Sequence, residues 1–253
     1  MKHKRLIILV LLTLFISLSA FVIYKNTYKQ EFNYVALGDS LAVGRNPYGI
    51  DDYGYVHYIK DYLDKHHKLN NYYNYGVSGY LIEDVINDIE YNRTIQIDEN
   101  EMNVKRALRE SNLVTISIGA NDLLKNISLT EVPSIFENRD EIIKELDGVF
   151  LSLEELLLLI KKYSKGDIIV VGYYNPLPRM TKYKENIDEI VDYSNQKYQN
   201  LCNSLGIYYV NISDVFDNNV DYLPNPLDIH PNKEGYKEIS DKILSIINEE
   251  ILK

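Results

Sequence analysis

Asn33-Tyr34-Val35-Ala36-Leu37-Gly38-Asp39-Ser40-Leu41 is a strand-like run that breaks directly into Gly-Asp-Ser. Residues 33–37 are rich in the aromatic and β-branched side chains that suit a pleated, buried surface, and glycine followed by aspartate is ordinary turn chemistry. The serine that follows reads either as a helix N-cap or as a hydroxyl held at the end of a strand. Working outward, residues 72–75, 113–118, 167–173 and 207–210 carry the same strand signature, with turn formers at their ends. Residues 55–66, 82–90, 99–110, 141–163, 187–205 and 233–251 have helical character. Strands that alternate with helices predict an α/β fold with a parallel sheet covered on both faces.

In an open parallel sheet, ligands bind outside the carboxyl ends of the strands. Three short blocks begin where an expected strand stops: Gly38-Asp39-Ser40-Leu41, Asn74-Tyr75-Gly76 and Gly119-Ala120-Asn121-Asp122. A fourth, Asp228-Ile229-His230-Pro231, lies in a proline-bearing loop before the final helix. Singly, each block has an ordinary reading as a turn or a helix cap. In this order they supply a nucleophilic hydroxyl, donors for an oxyanion and a base, the minimum set for acyl transfer. The remaining histidines have simpler explanations. His3 flanks an apolar run, His66 and His67 sit at a polar helix end with Lys65 and Lys68, and His57 lies on a tyrosine-rich amphipathic segment where a structural role is expected.

The four blocks, spread over residues 34–236, resemble the SGNH hydrolases, also called GDSL lipases and esterases. The resemblance implies a flavodoxin-like, three-layer α/β/α fold around a five-stranded parallel sheet. It also implies that Ser40 is the nucleophile and His230 the general base. The oxyanion hole would be formed by the backbone N–H groups of Ser40 and Gly76 and the side chain of Asn121. The Gly-x-Ser-x-Gly nucleophile elbow of the α/β-hydrolases is absent. One position departs from the family pattern. The acid usually stands three residues before the histidine, where this chain has Leu227, and the nearest carboxylate is Asp228, two residues before His230. Either Asp228 reaches Nδ1 of His230, helped by the bends at Pro226 and Pro231, or a backbone carbonyl orients the ring. The expectation is that Asp228 does so. The substrate expected is a lipid or short acyl ester, with an envelope glycan O-acetyl ester as the alternative, and a catalytically silent binding protein as the alternative of another class. A lipid substrate predicts an apolar groove near residues 125–139, and a glycan predicts an open, polar, tyrosine-lined cleft.

The 253 residues, 45% hydrophobic and 25% charged, suit one globular domain with a proper core. A formal net charge of -10, with no Lys/Arg-rich run beyond residue 5, argues against a nucleic-acid partner. The single cysteine, Cys202, permits no intramolecular disulfide and is expected to fill the core. No His/Cys/carboxylate cluster has metal-ligand spacing, and phosphate-loop and dinucleotide glycine patterns are missing, so neither metal nor cofactor is expected.

At the amino end, Lys2, Lys4 and Arg5 precede an apolar run over residues 6–24, long enough to span a bilayer. Ser17-Leu18-Ser19 resembles a small-x-small cleavage exit, but Phe21, Val22 and Ile23 continue the run, which favours an uncleaved anchor with the domain outside the cell. Residues 1–29 are thus read as anchor and tether and 30–253 as the hydrolase domain. Residues 125–139, with Pro133, are expected to form an irregular surface flap.

Overall fold

A computed structural model describes residues 13–15, 17–19, 32–124 and 139–252. Its main sheet is built from β1 (Phe32–Gly38), β2 (Leu69–Asn74), β5 (Leu113–Ser117), β6 (Asp167–Val171) and β7 (Tyr208–Val210). All are parallel, in the order β2-β1-β5-β6-β7. After β1 the chain moves to one edge to make β2, then crosses back to place β5 on the other side of β1. That reversal is the topological switch point of a flavodoxin-like sheet, and it opens a crevice at the carboxyl ends of β1 and β5.

Alternation along β1 explains the three layers. Tyr34 and Ala36 point into the core shared with α2 (Tyr55–Lys65) and α9 (Lys233–Ile246), whereas Val35 and Leu37 point to the opposite face. That second face is covered by α3 (Ile82–Glu90), α4 (Val104–Glu110), α6 (Arg139–Tyr163) and α7 (Lys184–Leu205). Because both faces are buried, β1 and β5 read as nearly continuous apolar runs rather than as alternating ones. On the first face, Ile59 and Leu63 of α2 and Ile239 and Ile243 of α9 are fully buried, each such side chain contributing roughly 1.5–3 kcal/mol. Polar pins hold the two helices in register: Tyr58 Oη donates to the Lys233 carbonyl and Tyr62 Oη to Asn248 Oδ1.

One expected element is different. The helix expected over residues 99–110 begins only at Val104, because residues 100–103 are β4 (Asn100–Asn103), paired antiparallel with β3 (Thr94–Ile97). Asp98, at φ +51°, makes the tight turn between them, and the Asn103 side chain then caps α4 by accepting from the Arg106 N–H. Three short helices also escape the sequence pattern: α1 (Ser40–Val43), α5 (Ala120–Leu124) and α8 (Ser213–Asn218). Each is too short to show a helical period. The last helix keeps its α form to Ile246 and finishes as a π turn, Ile247–Ile251. Cys202 is buried in α7, and burial pushes its thiol up to about 12, as befits a core filler.

Among the described residues no helix is long and apolar enough to cross a membrane. Most of the apolar run at residues 6–24, and residues 125–138 of the expected flap, lie outside the described residues.

Candidate active site

Gly38 closes β1 with φ +126°, and a Cβ there would stand 2.0 Å from the Ser117 carbonyl oxygen of β5. Only glycine lets the two strand ends approach so closely. The Asp39 N–H donates to that same carbonyl at 3.0 Å, and the Asp39 carboxylate turns back to accept from the Leu41 N–H at 3.0 Å. Asp39 thereby caps α1, whose first residue is Ser40. The N–H of Ser40, in the first turn of this helix, has no intrahelical acceptor and is available to a ligand.

Asp39 is almost fully buried, and burial raises its carboxyl from 3.8 to about 7, against the lowering effect of hydrogen bonds from Leu41, its own N–H and Ser117. Burial also raises the hydroxyls of Tyr173, Tyr174 and Tyr236, which therefore serve as neutral donors.

The loop between α8 and α9 delivers His230. His230 Nε2 lies 2.8 Å from Ser40 Oγ, across 190 residues of sequence, and His230 Nδ1 lies 2.7 Å from Asp228 Oδ1. The same carboxylate oxygen accepts from the His230 backbone N–H at 2.8 Å, which fixes the carboxylate and the ring together. Of the two ways of orienting the imidazole, the structure holds the one through Asp228. With Nδ1 donating to the carboxylate, Nε2 is left as the acceptor facing the serine hydroxyl.

The loop is braced from two directions: Tyr174 Oη donates to the Ile229 carbonyl at 2.6 Å, and Asn225 Nδ2 to the Pro47 carbonyl at 2.7 Å. Tyr236 Oη, on α9, donates to the Arg45 carbonyl at 2.7 Å and ties that helix to the turn after α1. Asn232 caps α9 directly after the loop, its Oδ1 accepting from the Gly235 N–H.

The two remaining expected residues lie on segments that lead to the opposite face of the sheet. The Asn121 side chain, on α5, donates to the Tyr80 carbonyl at 2.9 Å through Nδ2, which leaves its second amide hydrogen for another acceptor. Its neighbour Asp122 accepts from the Ile82 N–H at 3.1 Å and so ties α5 to the start of α3.

Gly76 packs against α1, where a Cβ would meet Ala42 Cβ at 2.8 Å. Its N–H donates to Asn74 Oδ1 at 2.9 Å, while Asn74 Nδ2 donates to the Ala42 carbonyl at 2.8 Å. The sequence reading gave Gly76 the role of a free donor. In this structure that N–H is engaged, and Asn74 is the residue that holds the loop against the serine helix. Asn74 was legible as part of its block but had no role there. Tyr174 carried no signal at all among 23 tyrosines. Among the described residues no group of three or more His, Cys, Asp or Glu side chains is placed to hold a metal ion.

A serine hydroxyl, an imidazole and a carboxylate in hydrogen-bonded series, at the switch point of a parallel α/β sheet, define the hydrolase class to which comparison with known proteins also leads. The chain belongs to the GDSL-like lipase/acylhydrolase family, matched over residues 36–238, and is a hydrolase acting on ester bonds. Among solved structures it is similar in fold to the lipase Lip_vut3 from a goat rumen metagenome. That match has a TM-score of 0.67 and 18% identity and covers 87% of this chain and 99% of the other. It is also similar to a variant of Axe2, an acetyl-xylooligosaccharide esterase from Geobacillus stearothermophilus, with TM-score 0.63, 19% identity and 89% and 99% of the two chains covered. A catalytic variant of Axe2, described as an acetylxylan esterase, matches with TM-score 0.62 and 20% identity over 86% of this chain and 94% of the other. No curated protein matches the chain.

Proposed function

We propose that the protein hydrolyses carboxylic esters through an acyl-enzyme on Ser40, with His230 as general base and Asp228 orienting it. The observation that carries this reading is the continuous series from Asp228 Oδ1 to His230 Nδ1 (2.7 Å) and from His230 Nε2 to Ser40 Oγ (2.8 Å). As Oγ bonds to the ester carbonyl carbon, Nε2 takes the hydroxyl proton and the carbonyl electron pair moves onto oxygen. The Ser40 N–H and the free hydrogen of the Asn121 amide are the oxyanion donors, and Gly76 joins them when Asn74 releases its N–H. Collapse of this intermediate expels the alcohol, which receives the proton from His230. Water then repeats the sequence on the acyl-enzyme and the free acid leaves.

The fold likeness to acetylxylan esterases and to a lipase supports ester substrates in both directions.

Hydrolysis of p-nitrophenyl acetate, butyrate and palmitate by the wild-type chain and by Ser40→Ala tests the reading. Activity that vanishes with Ser40 supports it. Equal activity of the two proteins, or inactivity of both on these and on O-acetylated glycans, overturns it in favour of a silent binding protein.

A further inference from the structure

Outside the amino-terminal segment, few large apolar side chains of the described residues stand in water. Three of these lie on the two loops that flank Ser40 and His230: Tyr48 (76% exposed), Ile50 (62%) and Leu227 (82%). Leu227 immediately precedes Asp228, and the turn bearing Tyr48 and Ile50 begins where the Arg45 N–H donates to the Ser40 carbonyl.

The turn is rigid. Asn46 Oδ1 accepts from the N–H groups of Tyr48 (2.9 Å) and Ile50 (3.2 Å), and the Asn46 N–H donates to the Ile50 carbonyl at 2.8 Å. The bond from Asn225 Nδ2 to the Pro47 carbonyl joins it to the histidine loop. The turn also carries polar groups: Arg45 pairs with Asp51 at 3.1 Å, and Ser78 Oγ donates to the same carboxylate at 3.1 Å. Apolar side chains displayed by so many backbone constraints, rather than tucked inward, mark a contact surface.

Which part of an ester meets that surface follows from the layers. The turn leads into α2 and the histidine loop into α9, both on one face of the sheet, whereas the segments carrying Gly76 and Asn121 lead to the opposite face. In the tetrahedral intermediate the oxyanion points to its donors, and the leaving oxygen must lie beside His230 Nε2 to receive its proton. The alcohol therefore departs on the histidine side, the side of the loops that carry Tyr48, Ile50 and Leu227.

Resting on the esterase reading, we infer that these three residues form the alcohol-side subsite, and that it takes a sugar ring. At 62–82% exposure none of the three is enclosed in a cleft. A flexible alkyl chain laid there would keep much of its surface in water. A pyranose instead presents a flat face of C–H groups to the Tyr48 ring and its hydroxyl edge to Arg45, Asp51 and Ser78.

The test compares two acetates with primary alcohols, methyl 6-O-acetyl-β-D-glucopyranoside and ethyl acetate, with octyl acetate as an alkyl control. In Tyr48→Ala the ratio of kcat/KM for the sugar ester to that for ethyl acetate falls about tenfold, through KM, and Tyr48→Phe restores it. An unchanged ratio overturns the subsite. So does a loss confined to octyl acetate, or a loss of selectivity between p-nitrophenyl acetate and hexanoate, which would put the three residues on the acyl side. Ser40-dependent hydrolysis of ethyl acetate reports the esterase reading separately. Should the wild type hydrolyse no ester, binding of the sugar ester to Ser40→Ala, followed by its NMR line widths, decides the subsite. Binding that Tyr48→Ala abolishes upholds it, and the absence of binding overturns it.

Discussion

Replacing Asp39 by asparagine separates the shape of the cap from its charge. In the folded protein the Asp39 carboxyl is raised to about 7 from its ordinary 3.8, chiefly by burial. The native state thus holds this proton more tightly than the unfolded chain does. The protein pays no penalty for the group below pH 3.8, loses stability as the pH rises from there through 7, and is flat above it. At 1.36 kcal/mol per pKa unit, a rise of about three units amounts to roughly 4 kcal/mol once the group is ionised.

Asparagine keeps an Oδ1 for the Leu41 N–H, now at 3.0 Å, and never ionises. Its amide must be accommodated where the carboxylate accepted from Ser117, at a cost of about 1 kcal/mol that does not vary with pH. The expected result is a variant slightly less stable than wild type at pH 4 and about 3 kcal/mol more stable at pH 8. Urea unfolding followed by far-ultraviolet circular dichroism, at half-unit steps from pH 4 to 8, measures the difference. Parallel stability curves for the two proteins across this range would refute the account of a buried, proton-holding Asp39.

Asp228→Asn leaves the loop its backbone contacts but removes the charge beside Nδ1, and kcat/KM is expected to fall by about a hundredfold or more. A loss below tenfold, about 1.4 kcal/mol, would show the aspartate to be structural. Gly38→Ala forces a Cβ to within 2.0 Å of the Ser117 carbonyl at φ +126°, so the sheet must open at the site. Unfolding free energy should drop by roughly 2–4 kcal/mol, and a drop below 1 would contradict the close approach of β1 and β5. Tyr174→Phe removes the 2.6 Å bond to the Ile229 carbonyl. It should lower stability by about 1 kcal/mol and slow ester hydrolysis several-fold at unchanged folding, and full retention of activity would mean that the histidine loop needs no such brace.

Much of this architecture was legible because it is local. The ends of β1 at Gly38 and of β5 just before Gly119, the helix from Ile82 to Glu90, and the placing of Ser40 and Asn121 after strands all follow from side-chain period and turn residues within a few positions of each other. Short elements were not legible, since four or five residues such as Ser40–Val43 and Ala120–Leu124 show no period, and the β3–β4 hairpin depended on a single residue, Asp98, in a left-handed turn.

The sequence by itself determined the order of the five main-sheet strands and the six longer helices, and the inventory of a serine hydroxyl, an imidazole and amide groups beside them, because these are written in neighbouring residues. Only the tertiary structure decided that Asp228, not a backbone carbonyl, meets His230. It alone showed that the Gly76 N–H is engaged by Asn74, that Tyr174 braces the histidine loop, and that Asn225 of that loop is tied to the Pro47 carbonyl of the turn after the serine helix. Each of these depends on the direction of a side chain or on a contact between distant segments. Such geometry is fixed when the layers pack, and no local pattern encodes it.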